Sequence, residues 1–181
     1  EYLVQFAIMG AVFAAGVLGR RPPRVALLAN GEEASKGNEL VREVHERLRQ
    51  DAHDFDFIGN VEPKEVLAGH ADVVVTDGFA GNVFIKTAES VAELLMSVLR
   101  EEIPRTARGK VGGLLIRPSI GRIRSSIDWR EFGGAPLLGI DGVAVVAHGR
   151  SDARAVKNAI RVASEASAAG LADKIREALA P

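Results

Sequence analysis

Apolar residues along this 181-residue chain fall into two kinds of run. Short, β-branched runs occupy Val25–Ala29, Phe55–Ile58, Asp72–Thr76 and Val143–Ala147, and each predicts a buried strand. Between them, apolar and charged positions alternate at helical spacing over Asn38–Arg49, Pro63–Ala68, Phe84–Leu99, Ala153–Ala168 and Ala172–Leu179. Pro63 suits the first turn of its helix. Strands alternating with helices predict an α/β fold, a three-layer αβα arrangement with a mainly parallel sheet. No internal repeat or low-complexity linker breaks the pattern, so residues 1–181 read as a single α/β unit.

The opening segment, Tyr2–Gly19, differs: it is apolar almost throughout and is followed by Arg20-Arg21-Pro22-Pro23-Arg24. Its length is marginal for a bilayer, Gln5 interrupts it, and Gly10, Ala11, Ala14, Ala15 and Gly16 suit close packing. It predicts a buried or subunit-contact helix. A chain that starts inside such a helix is expected to lack its natural beginning. Hydrophobic residues make up 47% of the chain and charged residues 26%, which fits a soluble globular protein. The net charge of −1 and scarce aromatics disfavour nucleic acid as a partner. Without cysteine there can be no disulfide, thiolate metal site or cysteine nucleophile.

Three segments follow predicted strands and lead into helices, where open parallel sheets bind ligands. They are Asn30–Asn38, Thr76–Asn82 and Ala147–Asp152. Each carries glycine and a candidate helix cap, Asn38, Asn82 or Ser151, with Lys36, Lys86 or His148 nearby. Helix starts offer unpaired N–H groups and partial positive charge, which suit an anion such as phosphate. The stretch around Lys36 is no P-loop, because that lysine precedes its glycine, and Gly133–Gly139 lacks the helix that a dinucleotide fingerprint needs. The four histidines show no metal-ligand spacing; His45 and His53 stand in charged contexts that predict solvated positions.

Arg100–Arg130 holds eight Lys or Arg against three Asp or Glu, a local net charge of +5. Val111, Leu114, Leu115, Ile116, Ile120, Ile123 and Ile127 lie among these charges. Such a mixture fits an anionic bilayer surface, an arm on a second subunit, or an acidic carrier protein.

The segments ANGEEASKGNEL, ADVVVTDGFAGNVFIKTAE, EFGGAPLLGIDG and AHGRSDARAVKNAI, in this order between Tyr2 and about Ala163, resemble the hallmark segments of the bacterial phosphate acyltransferase (PlsX) family. The resemblance implies a fold similar to the isocitrate/isopropylmalate dehydrogenase and phosphotransacetylase group, usually as a homodimer. It implies that this chain is the carboxyl-terminal part of a longer one. It implies transfer of a fatty acyl group from acyl carrier protein to inorganic phosphate. The acyl phosphate would feed a membrane acyltransferase that starts phospholipid synthesis, with the enzyme cytoplasmic and peripherally attached to the membrane. No metal or organic cofactor is expected.

Phosphate is itself a nucleophile and a thiol leaves readily, so the site needs donors and positive charge more than a strong base. On this reading Gly31, Lys36, Gly37 and Asn38 hold phosphate. Gly78, Gly81 and Lys86 add to the same site. Asn82 donates to phosphate or to the thioester oxyanion, Asp77 orients Lys36 or Asn82, and His148 donates to the departing sulfur or to phosphate. Residues 100–130 are expected to form a projecting, largely helical tip, with Leu114, Leu115, Ile116, Arg117, Arg122 and Arg124 touching membrane or carrier. The rival readings are an acetyl- or butyryltransferase that uses coenzyme A thioesters, and a truncated adaptor without activity.

Overall fold

Strand β1 (Arg24–Leu28) is the centre of the structure, a computed structural model that describes residues 1–126 and 128–180, without the side chains of Arg124 and Ser126. β1 lies between β2 (Asp56–Val61) and β3 (Val73–Val75), parallel to both. Val25, Ala26 and Leu27 are at most 1% exposed. Successive strand residues point to opposite faces, so both faces of β1 are covered, as a three-layer α/β fold requires. Arg24 and Asp72 fasten the entry edge: Arg24 N and Nε donate to Asp72 Oδ2 at 2.9 and 3.0 Å, and Nη2 donates to Oδ1 at 3.1 Å.

Helix α1 (Tyr2–Gly16) buries Leu3, Val4, Ala7, Met9, Ala11 and Ala14, as a helix apolar on most sides should. A Cβ on Gly10 would come within 2.6 Å of Val73 Cγ1, so the glycine lets α1 approach β3 closely. Among the described residues no helix is long and apolar enough to cross a membrane. The core joins α1 to β1, β3 and α2 (Glu39–Gln50) through Leu3, Ala7, Val25, Leu27, Val44 and Leu48. A second cluster ties Met9 to helices α7 (Ala153–Ala168) and α8 (Leu171–Ala178) through Ala166, Leu171 and Ile175.

His45 is not solvated. It sits on the buried face of α2 with Val41, Val44 and Leu48, at 7% exposure. Its ring meets Phe57 edge-on at 5.3 Å, and its Nδ1 lies 3.0 Å from Asn60 Oδ1. Charge on the outward face of an amphipathic helix says nothing about the residue on the inward one. His53 is half-buried and stacks on Phe55 with ring centroids 4.5 Å apart.

The fourth expected strand does not join the parallel sheet. β5 (Val145–Ala147) pairs antiparallel with β4 (Gly134–Pro136) in a separate two-stranded sheet. A Cβ on Gly134 would lie 2.7 Å from Val146 O, so β4 forms because glycine admits the close approach. Helix α4 (Gly78–Glu102) starts six residues earlier than the apolar pattern predicts and ends at the turn Ile103–Arg105, a 3-10 helix containing Pro104. Helix α3 (Pro63–Leu67) has proline in its first turn, as expected. Residues 100–130 are largely helical: α5 (Ala107–Ser126) follows the turn, and the short α6 (Trp129–Phe132) closes the segment. Ile127 and the side chain of Arg124, both assigned to this segment, lie outside the described residues.

Candidate functional site

Because β1 and β3 are parallel neighbours, the loops that leave them emerge at one edge of the sheet, about 5 Å apart by strand spacing. The first loop is drawn closed by Asn30, whose Oδ1 accepts from Gly37 N at 2.9 Å. Gly37 has φ of 89°, and a Cβ there would stand 2.6 Å from Val41 Cγ1, so only glycine fits. Asn38 then caps α2, its Oδ1 accepting from Val41 N at 2.9 Å. The N–H groups of Glu39 and Leu40, in the same first turn, remain for another acceptor.

Lys36 rises beside this helix start. Its aliphatic stem lies over buried Gly31, where an added Cβ would meet Lys36 Cγ at 2.6 Å. Among the described residues Lys36 makes no ion pair, and its side chain is exposed. Glu32 turns away to Lys64, 3.5 Å distant, but Glu33 does not turn away: its Oε2 would stand 2.9 Å from the same added Cβ on Gly31. The carbonyl of Glu33 accepts from Lys36 N at 2.9 Å and from Asn60 Nδ2 at 2.9 Å, which pins the loop to the end of β2.

The second loop is shorter than Thr76–Asn82. Asp77, not Asn82, caps α4: its Oδ1 accepts from Phe79 N and Ala80 N, both at 2.9 Å. Asp77 therefore bonds its own helix, and among the described residues no hydrogen bond or ion pair joins it to Lys36 or Asn82. Its carboxylate also offsets the positive end of α4, leaving Gly78 N–H as the uncapped donor there. Gly81 is buried because a Cβ would lie 2.5 Å from Thr76 Cγ2. Asn82 lies inside α4, and it shares one face of that helix with Lys86.

The third loop stands elsewhere. His148 follows β5, and its ring packs on Trp129 at 4.9 Å, with Arg150 over the opposite partner of that pair, 5.8 Å from the Trp129 centroid. Its Nδ1 accepts from Arg150 N at 3.2 Å. Ser151 does not cap α7; its Oγ donates to His148 O at 2.6 Å, and Asp152 caps the helix by accepting from Ala155 N at 3.0 Å. None of these contacts reaches the β1 or β3 loops.

A cavity of about 540 Å³ opens beside this third loop, between α4 and α6, lined by Glu93, Arg100, Trp129, Arg130 and Arg150 among others. Arg130 chelates Asp128, with Nε donating at 2.9 Å to Oδ1 and Nη2 donating at 2.7 Å to Oδ2. The guanidinium holds the Asp128 carboxyl down at about 2. Asp152 is also lowered, first by the Ala155 N–H and then by Arg130.

The residues expected to touch membrane or carrier all lie on α5, and Leu114, Leu115 and Ile116 do not share one face. Leu114, Leu115 and Ile116 are 69%, 75% and 42% exposed. Consecutive helix residues turn by about 100° each, so the three spread around the axis. Ile116 and Arg117 face a groove against α4, and Arg122 bonds Ser119 Oγ at 3.0 Å.

A family model described as "Fatty acid synthesis protein" matches residues 1–174. The chain belongs to the fatty acid synthesis protein family. It is 45% identical to the phosphate acyltransferase of Thermodesulfovibrio yellowstonii over 179 residues, 99% of this chain and 51% of that protein. It is 48% identical to the phosphate acyltransferase of Synechocystis over 166 residues, 92% of this chain and 47% of that protein. The corresponding Dictyoglomus turgidum protein is 47% identical over 179 residues, 99% of this chain and 53% of its own length. The chain spans about half the length of the curated relatives it matches.

Within this member of the fatty acid synthesis protein family, sequence reasoning missed two positioning groups. Asn60 gave no signal because it is one polar residue at the end of an apolar strand. The register shift between Val25 and Leu27, with Gly59 at φ of 89°, puts an extra residue into β2 and turns Asn60 inward. Trp129 and Arg150 were hidden for a different reason: they meet only when α6 folds against the β5 loop.

Proposed function

We propose that this chain holds inorganic phosphate at the shared edge of β1 and β3 and contributes to transfer of a fatty acyl group from acyl carrier protein to that phosphate. The observation that carries the reading is Lys36: an exposed side chain with no ion pair among the described residues, two residues before the Asn38 cap of α2. Gly31, Gly37 and Asn38 shape this anion site, and Gly78 supplies one further N–H from the neighbouring loop. The relatives' name, phosphate acyltransferase, supports phosphate as the acceptor.

In the proposed step a phosphate oxygen attacks the thioester carbonyl. The carbon–oxygen bond forms, the carbon–sulfur bond breaks, and the proton of hydrogen phosphate ends on the released thiol. Lys36 screens the charge of the incoming dianion so that it can approach the carbonyl. Asn82 and Lys86, one helical turn apart on α4, face the same substrate as donors to the developing oxyanion. His148 serves the leaving sulfur only where the carrier arm spans to the β5 loop.

Exposed Leu94, Leu95 and Val98 on α4 support a subunit contact, which we assign to a homodimer. Exposed Val111, Leu114 and Leu115 beside the basic residues of α5 support attachment to a membrane surface, where a membrane acyltransferase takes the product. Release of free thiol from acyl carrier protein, measured with and without added phosphate, tests the function. Phosphate-dependent release supports it. Equal release from coenzyme A thioesters alone points to the short-chain rival, and no release at any phosphate concentration refutes it.

A further inference from the structure

A groove runs between α4 and α5. It has a volume of about 620 Å³, within the range of pockets that take organic ligands. Met96, Leu99, Ile103, Ile116 and Ile120 form its apolar walls. It exists because α5 comes very close to the turn at its start: a Cβ on Gly109 would stand 1.9 Å from Ile103 O, and one on Gly113 would stand 2.9 Å from Ile103 Cγ2. On α5 the lining residues run from Gly109 to Gly121, about 18 Å along a helix axis, comparable to a long aliphatic chain.

The polar residues of the groove are all of one sign. Arg100, Lys110 and Arg117 line it, no carboxylate does, and none of the three makes an ion pair among the described residues. The cavity at Trp129 is different, since Glu89, Glu93, Asp128 and Asp152 stand there with its arginines; Arg100 and Met96 line both, so Lys110 and Arg117 are the cations that belong to the groove alone. Apolar walls with unpaired cations complement an aliphatic tail ending in an anion.

We infer that the α4–α5 groove binds a single-chain amphiphile with an anionic phosphate headgroup, its tail against the apolar walls and its head at one of the basic residues spaced along them, Arg100, Lys110 or Arg117. That the natural occupant is the acyl phosphate rests on the function proposed above; the chemistry of the groove does not.

The test is calorimetric titration of the intact protein with dodecyl phosphate below its micelle concentration. Dodecyl maltoside serves as the neutral tail and inorganic phosphate as the bare head. The expected result is saturable binding of dodecyl phosphate, at least tenfold weaker for the maltoside, with no displacement by inorganic phosphate. The double variant Lys110→Glu, Arg117→Glu should bind at least tenfold more weakly. Ile120→Trp, which fills the groove without changing charge, should do the same, and circular dichroism reports whether each variant keeps its helix content. Arg108→Glu, on the same helix but off the groove, should bind within twofold of the parent. Absence of binding by the parent, equal binding by the charge-reversed or groove-filled protein, or displacement by inorganic phosphate would each overturn the assignment. Amphiphile binding without phosphate-dependent thiol release would refute the proposed reaction and leave the groove standing; thiol release without amphiphile binding would do the reverse.

Discussion

Asn60 donates its side-chain amide to the carbonyl of Glu33 across 2.9 Å, from the end of β2 into the loop that carries Lys36. The amide oxygen of the same residue faces His45 Nδ1 at 3.0 Å. Because Nδ2 is the donor to Glu33, Oδ1 must be the acceptor, and His45 carries its proton on Nδ1. One buried side chain thus joins α2, β2 and the loop that carries Lys36.

Asn60→Ala removes both bonds and leaves a buried imidazole N–H without an acceptor. The expected destabilisation is about 2–3 kcal/mol. It should also raise the KM for phosphate more than it lowers kcat, since the loop and not the chemistry is loosened. Urea unfolding and steady-state kinetics check the two effects separately.

Asp77 is read here as a cap. Asp77→Ala should cost about 1–2 kcal/mol of stability. Asp77→Asn should recover most of that, because an amide oxygen still accepts from Phe79 and Ala80. Thiol release by the asparagine variant should stay within twofold of the parent. A loss of a hundredfold in kcat with stability intact would instead make the carboxylate part of the reaction.

Asp72 gives a pH dependence of defined sign. Hydrogen bonds from the Arg24 side chain, and then from its backbone, lower the Asp72 carboxyl from 3.8 to about 2. The stabilisation is fully present above pH 4 and is lost as pH falls toward 2. After allowance for the solvent exposure of Arg24 it amounts to about 1 kcal/mol. Asp72→Asn should therefore lower stability at neutral pH by about that amount, with the difference from the parent closing below pH 3 in denaturant titrations.

Gly78 and Gly81 look alike in the sequence but separate in the structure. An added Cβ meets nothing within 4 Å at Gly78 and meets Thr76 Cγ2 at 2.5 Å at Gly81. Gly78→Ala should raise the thermal midpoint, following helix propensity. Gly81→Ala should lower stability by about 1–2 kcal/mol, since Thr76 must shift.

Much of the fold was legible because periodicity reports burial directly. Val25–Leu27 and Val73–Val75 are strands for the reason their sequence suggests, and Asn38 caps α2 as a residue of its type should. The start of α4 was not legible. Gly78 and Gly81 read as loop residues, whereas Asp77 had already begun the helix and Gly81 serves helix–strand packing. Pattern alone also could not exclude Val145–Ala147 from the parallel sheet. Its partner, Gly134–Pro136, contains none of the residues that announce a strand, so the antiparallel pairing and the separate position of His148 had no local signal.

Lys36 is the residue proposed to hold phosphate for attack. The most direct measurement is the phosphate dependence of thiol release from acyl carrier protein by the intact protein and by Lys36→Ala. Lys36→Ala should raise the phosphate KM at least tenfold, or lower kcat equally, with the folded content of the variant unchanged. Phosphate kinetics identical to the parent would contradict it.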